Sequence, residues 1–286
     1  MVDAERLGPG RPSRWLERFV RERLRPAVEL LYRPCLEGAE HLPPAGTPFL
    51  LVANHSAGMA VAECLSFAVL YATEVGAADR PLAGFTHEIG FRFPPLAWLW
   101  REVGAIPSTY EAAAAALAAR VPILVFPGGD HESLRPLWQA SRVDFAGRRG
   151  FLRIAREAGV PIVPMGIVGS HVTAPMLFRS RALARWLVIP RLMGLNRWGV
   201  SLLGVLGTVG LARARGPRWL RLGLGWVWVA TPLCLLPIFP SKIRFRIGSP
   251  LSPEVLFRDG DPELDGAYAL VEGAVQDLVD ALRRRP

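Results

Sequence analysis

His55 is the residue of this 286-residue chain whose type and position best suit acid–base chemistry. It follows the apolar run 49–53, which predicts a short buried β-strand, and it precedes a mixed apolar run, 59–70, that predicts a helix. Loops between a strand and a helix lie at the carboxyl edge of α/β sheets, where these folds bind their ligands. His55 is therefore a candidate general base, and the alternative is a histidine that only hydrogen-bonds within its own turn.

A second polar turn follows the apolar run 121–126 and contains Pro127-Gly128-Gly129-Asp130-His131-Glu132. Because the carboxyl ends of parallel strands share one edge of a sheet, this turn and His55 are expected to face the same crevice. Paired glycines let backbone amides approach a substrate closely, or they accept a positive φ angle. Such amides bind phosphate groups or stabilise an oxyanion.

The elements that must position these residues alternate between strands and helices along the chain. Further strands are predicted at 81–85 and 161–168, and a helix at 150–158 is expected to end at Gly159. This alternation predicts an α/β fold with a mostly parallel central sheet and helices on both faces. Residues 242–247 alternate basic and apolar side chains, a pattern that predicts a strand at the edge of the sheet.

Residues 1–35 are predicted to form an N-terminal basic amphipathic helix, and residues 36–286 a single catalytic domain. Within 13–33, apolar residues recur at helical spacing and arginines fall largely between them. A helix on a membrane surface would have this pattern. So would a helix that packs on the domain and leaves its basic face in solvent.

The catalytic domain carries an apolar insertion at 195–240. Two uncharged runs, 198–212 and 222–239, flank a turn that holds four arginines and Trp219. Each run is shorter than the ~20 residues that span a bilayer. The pattern favours an apolar helical hairpin for membrane contact, and the alternative is a pair of core helices.

The amino-acid composition indicates which kinds of partner and which cellular compartment to expect for this chain. The chain is 51% hydrophobic with a net charge of +9 and a mean hydropathy of +0.24, which favours an anionic membrane surface over nucleic acid. Its three cysteines, Cys35, Cys64 and Cys234, have neither a metal-binding nor a disulfide spacing and suit a reducing compartment. The N-terminal residues lack a signal-peptide pattern. We expect a membrane-associated protein at the cytoplasmic face, with no metal and no nucleic-acid partner.

Four ordered blocks resemble the glycerolipid acyltransferase superfamily, which includes lysophosphatidate and glycerol-phosphate acyltransferases. After a similar lead-in at 36–43, the blocks are Asn54-His55, Gly104-Ala105-Ile106-Pro107, Val125-Phe126-Pro127-Gly128-Gly129 and Val160-Pro161-Ile162-Val163-Pro164. The Pro-Gly-Gly form of the third block, with Glu132 after it, resembles the branch close to diacylglycerol acyltransferases.

The resemblance implies an O-acyltransferase that moves an acyl group from an acyl thioester to a hydroxyl of a glycerolipid or lysophospholipid. His55 would be the general base, acyl-CoA or acyl carrier protein would be the co-substrate, and no further cofactor is implied. Substrate-binding roles are implied for Asn54, Pro127, Gly128, Gly129, Glu132 and Arg135. For Glu132 the alternative is a structural role, as a cap of the glycine-rich loop. Arg148, Arg149 and Arg153 are further candidates to hold a phosphate, and a solvated surface is the alternative for at least two of these arginines.

One position departs from the family pattern, in which an aspartate follows the histidine after four residues. Position 60 is Ala60, and the nearest acid is Glu63. One continuous helix over 55–63 would separate the two Cα atoms by about 12 Å, so contact requires residues 56–58 to stay outside the helix. Glu63 is predicted to be the acid partner of His55, and the alternative is a helix cap or an ion pair with an arginine.

Two other functions compete with acyl transfer. A catalytically weak or inactive lipid-binding relative is an alternative, because the usual aspartate is absent. A serine hydrolase is disfavoured, since neither Ser56 nor Ser170 lies in a Gly-x-Ser-x-Gly sequence.

Overall fold

A central β-sheet of seven strands lies within the residues that the structure, a computed structural model, describes: 10–56, 58–59, 61–77, 79–92, 94–258 and 261–284. The strands are β1 (Cys35–Glu37), β2 (Leu50–Ala53), β3 (Ala83–Thr86), β4 (Ala105–Pro107), β5 (Ile123–Val125), β6 (Ile162–Val168) and β9 (Arg244–Ile247). A separate two-stranded sheet pairs β7 (Met176–Ser180) with β8 (Trp198–Ser201).

The central sheet is mostly parallel, as the sequence predicts. Its strand order is β1-β9-β6-β2-β5-β3-β4. Within this sheet, the pair of β6 and β9 is the only antiparallel one among the pairings of its described strands. The carboxyl ends of β2, β5 and β6 therefore meet at one edge, and His55, the glycine-rich turn and Ser170 follow these three strands.

Helices connect the strands and cover the sheet. They are α1 (Arg14–Phe19), α2 (Arg25–Tyr32), α3 (Val61–Leu70), α4 (Pro94–Glu102), α5 (Tyr110–Ala118), α6 (Gly129–Ser133), α7 (Gly150–Ala158), α8 (Ser170–Thr173), α9 (Arg181–Leu187), α10 (Ile189–Leu192), α11 (Leu202–Arg213), α12 (Arg218–Ala230), α13 (Pro253–Leu256) and α14 (Asp265–Arg284). Short 3-10 turns lie at Ala39–His41, Glu88–Arg92, Leu137–Gln139 and Pro232–Leu235, and π-helical turns at Val20–Leu24 and Tyr71–Val75.

The sheet is buried on both faces, and β2 shows how. Leu50 and Val52 point into a core formed with α5, α7 and α14, whereas Leu51 and Ala53 point into a second core with α2 and α3. Alternation along the strand sends neighbouring side chains to opposite faces, so a strand covered on both sides must be apolar throughout. The prediction of an α/β fold with helices on both faces is confirmed.

The predicted edge strand at 242–247 is wrong in its position. β9 lies inside the sheet, between β1 and β6. Its apolar residues Phe245 and Ile247 are fully buried. β1 pairs with the edge of β9 that would be unpaired in an edge strand. The three residues of β1 lie in a segment that the sequence predicts only as a turn-rich entry, which explains the difference.

The N-terminal segment packs on the domain with some of its apolar residues and leaves others exposed. α1, a π-helical turn and α2 follow one another without interruption, and Pro26 lies in the first turn of α2. Val28 and Tyr32 are buried in the core with α3, whereas Phe19 and Leu30 are exposed. Residues 1–9 of the predicted segment lie outside the described residues.

The apolar insertion contains strand β8, a 3-10 turn and two helices, α11 and α12, that pack against each other. A Cβ on Gly207 would lie 2.3 Å from the Trp228 indole, so only glycine permits this close approach. The Trp228 indole N–H donates to the Gly204 carbonyl at 3.1 Å. Among the described helices, none has the length and apolar character needed to cross a membrane.

Candidate active site

His55 and Glu63 are in direct contact at the carboxyl edge of the sheet. The Nδ1–H of His55 donates to Glu63 Oε1 at 2.5 Å. The imidazole is partly accessible and packs on the Phe126 ring, with centroids 4.3 Å apart, whereas the Glu63 carboxylate is fully buried. With Nδ1 carrying the proton, Nε2 keeps its lone pair and is able to accept a proton from a substrate.

The loop between β2 and α3 makes this contact possible. Residues 54–56 and 58–59 lie outside the helix, and Glu63 lies in the first turn of α3, where side chains lean towards the helix N-terminus. Gly58 has φ +65°, and a Cβ there would lie 2.6 Å from the Leu235 carbonyl oxygen. Its amide donates to the Ser133 carbonyl at 2.8 Å. Ala60, at the position of the family's aspartate, lies outside the described residues.

The Glu63 carboxylate is fixed by the residue that follows His55. The Ser56 amide donates to Oε1 at 3.1 Å, and the Ser56 hydroxyl donates to Oε2 at 2.7 Å. The Ser56 hydroxyl also contacts the hydroxyl of Ser170, which follows β6. Both oxygens of the carboxylate are thus engaged, which holds the imidazole in one orientation and one tautomer.

Glu132 joins the glycine-rich turn to the backbone of His55. Its Oε2 accepts the His55 amide at 3.0 Å, and its Oε1 accepts the Asp144 amide at 3.0 Å and Arg135 Nη2 at 2.5 Å. Burial raises the pKa of Glu132 to about 7, against the opposing effects of the Arg135 charge and the two amides. All of these partners are donors, so the ionised carboxylate is the form that this geometry satisfies.

This arrangement favours the structural alternative for Glu132 and differs from the substrate-binding role expected of Arg135. Both side chains are buried, and each neutralises the other inside the domain. A buried charge needs such a partner, because an isolated charge in the interior is costly. The sequence places the two residues three apart without showing that they turn inwards.

Asn54 also turns inwards, contrary to its expected role in substrate binding. Its Nδ2 donates to the Ile167 carbonyl at 3.0 Å, and its Oδ1 accepts the Ile167 amide at 2.8 Å. The side chain thereby continues the hydrogen bonding between β2 and β6 beyond the end of β2. Asn54 positions the backbone that carries His55.

The turn Pro127-Gly128-Gly129 approaches His55, as the sequence predicts, but its groups are largely engaged. A Cβ on Gly128 would lie 2.1 Å from Glu132 Cγ, and Gly129 has φ +45°. The Gly129 amide donates to the Phe126 carbonyl at 3.1 Å, and Arg148 Nη1 donates to the carbonyls of Pro127 and Gly128 at 3.0 and 2.9 Å. The backbone hydrogen bonds of the described residues outside helices and strands include none that the Gly128 amide donates.

Ser170 and His171 begin the short helix α8 after β6, and no role in the site was assigned to them from the sequence. Ser170 contacts Ser56, and His171 is buried, with an Nε2 that has no partner among the described residues. Burial, together with the positive charge of Arg135, lowers the pKa of His171 to about 3. The neutral imidazole therefore persists in the folded protein at ordinary pH. The position of both residues at the carboxyl end of a parallel strand was the available signal.

His131 lies in the glycine-rich turn and is paired with an acid, because its Nε2–H donates to Asp144 at 2.9 Å. Across the described ranges, no group of three or more histidine, cysteine, aspartate or glutamate side chains is arranged to hold a metal ion.

Comparison with known proteins gives one family match and several relatives. Residues 33–168 match the model of a family described as acyltransferase. The uncharacterized proteins Rv0502 of Mycobacterium tuberculosis and Mb0514 of Mycobacterium bovis are each 31% identical over 233 residues, which cover 82% of this chain and 56% of those proteins. The chain thus spans about half the length of the curated relatives it matches.

The fold also resembles a solved structure, that of the 1-acyl-sn-glycerophosphate acyltransferase PlsC from Thermotoga maritima. The TM-score is 0.54 at 19% sequence identity, and the match covers 100% of this chain and 85% of that one. This similarity shows a shared fold. The region matched by the acyltransferase family model, residues 33–168, contains His55, Glu63 and the glycine-rich turn.

Proposed function

We propose that this protein is a membrane-associated O-acyltransferase that moves an acyl group from a thioester to a hydroxyl of a glycerolipid or lysophospholipid. The observation that carries the proposal is the contact between His55 Nδ1 and the buried carboxylate of Glu63. The glycerolipid acceptor is supported by the sequence motifs and by the fold shared with PlsC. Assignment to the branch close to diacylglycerol acyltransferases stays a prediction.

In the proposed reaction, His55 Nε2 removes the proton of the acceptor hydroxyl while its oxygen attacks the thioester carbonyl. A carbon–oxygen bond forms, and the carbonyl becomes a tetrahedral oxyanion, for which the Gly128 amide is the proposed hydrogen-bond donor. The carbon–sulfur bond then breaks, and the imidazolium returns its proton to the departing thiolate. The Glu63 carboxylate stabilises the imidazolium between these two proton transfers.

Mass spectrometry of the lipids made by the purified protein tests this function. Liposomes would contain diacylglycerol, lysophospholipids or a glycerol-phosphate acceptor, and acyl-CoA or acyl carrier protein would be added as the donor. We expect one new ester lipid, formed in equal amount with the free thiol of the donor. Lipid binding without product from any combination would instead favour the inactive lipid-binding relative.

Membrane association is the second part of the proposal, and exposed apolar residues of α11 and α12 support it. Leu206, Trp219, Leu222 and Trp226 are exposed, and Arg213, Arg215 and Arg218 lie exposed at the turn between the helices. Apolar side chains next to arginines suit an anionic bilayer surface. The three cysteines are free, in keeping with the proposed location at the cytoplasmic face.

Flotation with anionic liposomes tests this contact. The double variant Trp219→Ser/Leu222→Ser should lower the membrane affinity at least about tenfold, because each buried apolar side chain contributes ~1.5–3 kcal/mol. Trp138→Ser is the matched control, since Trp138 is 70% exposed on another part of the surface and Trp219 is 74% exposed. Binding should also weaken at high salt. Equal flotation of the double variant and the wild type would contradict membrane contact through α12.

A further inference from the structure

A cavity of about 400 Å³ lies beside the site and is lined by five arginines. Arg181 and Arg185 belong to α9, Arg191 belongs to α10, and Arg197 immediately precedes β8. Arg148, which holds the glycine-rich turn, lines the same cavity. The sequence analysis names only Arg148 among these five as a candidate for binding an anion.

The charges of these arginines are mostly uncompensated. Asp130 lies 2.7 Å from Arg148 and 3.9 Å from Arg197, measured between their side-chain nitrogen and oxygen atoms. Arg181, Arg185 and Arg191 have no acidic partner among the residues that the structure describes. Five guanidinium groups against one carboxylate leave a formal excess of four positive charges around one small volume. Such mutual repulsion is relieved when an anion binds.

The cavity is linked to the catalytic loop by Asp130. One carboxylate oxygen accepts Arg148, and the other accepts the amides of Asn196 and Arg197, each at 3.2 Å. Arg148 in turn donates to the carbonyls of Pro127 and Gly128. A ligand held by the arginines is therefore anchored next to the turn that approaches His55.

We infer that this cavity binds the phosphate groups of a coenzyme A thioester, an inference that rests on the proposed acyl transfer. Guanidinium groups bind phosphate through paired N–H donors and are preferred at such sites. The nucleotide end of coenzyme A carries a phosphate monoester and a diphosphate, together about four negative charges, which matches the excess in the cavity. A single lipid phosphate would neutralise about half of it. With the nucleotide held here, the thioester arm is free to extend along the turn towards His55.

Calorimetric titration of coenzyme A into the purified protein tests this site without relying on activity. We expect Arg185→Gln and Arg191→Gln each to weaken binding of coenzyme A, and of adenosine 3′,5′-bisphosphate, about tenfold, since each removes a charge-assisted contact. The double variant should lose about a hundredfold. Arg156→Gln is the matched control, because Arg156 is an exposed arginine of α7 outside the cavity. Equal unfolding temperatures verify that each variant is folded.

Two further ligands separate the possible sources of the phosphate. Pantetheine lacks the nucleotide and should bind equally to the wild type and the variants, and lysophosphatidate in vesicles should bind them equally as well. Unchanged coenzyme A affinity in the double variant would overturn the inference. A loss of affinity for lysophosphatidate alone would also overturn the inference, because it would show that the cavity binds the acceptor lipid.

Kinetics distinguish a failure of this inference from a failure of the proposed function. The KM for acyl-CoA should rise in the variants by the same factor as the dissociation constant, while the KM for an acyl-pantetheine thioester stays unchanged. If the variants still transferred the acyl group and each showed equal KM values for acyl-CoA and acyl-pantetheine, the assignment of the cavity to coenzyme A would be overturned. The proposed acyl transfer would still stand. Arginine-dependent binding of coenzyme A without transfer from any donor would support the cavity and overturn the function.

Discussion

Replacing His55 with alanine is expected to lower kcat for acyl transfer by about 10²–10⁴, the usual contribution of a general base. His55 has the ring nitrogen that is free to accept the hydroxyl proton, because its other nitrogen donates to Glu63. The measurement is the initial rate of thiol release with saturating donor and acceptor, accompanied by a thermal unfolding curve.

His87→Ala is the matched control for this variant. His87 is an exposed histidine that follows β3 at the same edge of the sheet, and its loss should leave kcat within about twofold of the wild type. A folded His55→Ala protein with the wild-type rate would show that His55 is not the base.

Glu63→Gln is expected to produce a loss of similar size, about 10²–10⁴ in kcat, with little change in the KM for either substrate. The amide keeps the shape of the carboxylate but carries no charge to stabilise the imidazolium. It also offers an N–H group to Nδ1, which favours the tautomer whose proton is on Nε2, where it blocks proton acceptance. Steady-state kinetics over a range of pH would measure kcat and KM separately.

A purely structural role for Glu63 would give a different result. Loss of the buried hydrogen bonds to Ser56 would then lower the unfolding temperature without a selective effect on kcat. Glu74→Gln, which changes an exposed glutamate elsewhere on the chain, is the control for removal of a carboxylate. Retention of more than half of the wild-type kcat in a folded Glu63→Gln protein would exclude the acid partner.

The sequence predicts those strands of the sheet that are continuous apolar runs of four residues or more. The runs that become β2 and β6 are continuous apolar segments, because helices cover both faces of the sheet there. β1 has three residues and no apolar run, so its presence depends on pairing with β9, more than 200 residues later in the chain. Such a pairing leaves no local pattern, and the predicted position of β9 was wrong for the same reason.

The candidate site was predictable to the extent that its contacts are local. His55 and Glu63 are eight residues apart, and the need for a loop between them follows from helix geometry alone. The partners of Asn54 and Glu132 are distant in sequence: Ile167 for Asn54, and the His55 and Asp144 amides for Glu132. Whether a polar side chain faces solvent or the interior depends on such partners, so its type alone does not decide its role.

The three donors around the Glu132 carboxylate have a consequence for protein engineering. This single side chain fastens together the loop after β2, the turn after β5 and the segment that begins at Asp144. If the glycine-rich turn alone were exchanged for that of a relative, the hydrogen bond between the His55 amide and Glu132 would be lost. In chimeric proteins designed for altered specificity, residues 54–63 and residues 126–144 should therefore be taken together from the same parent protein.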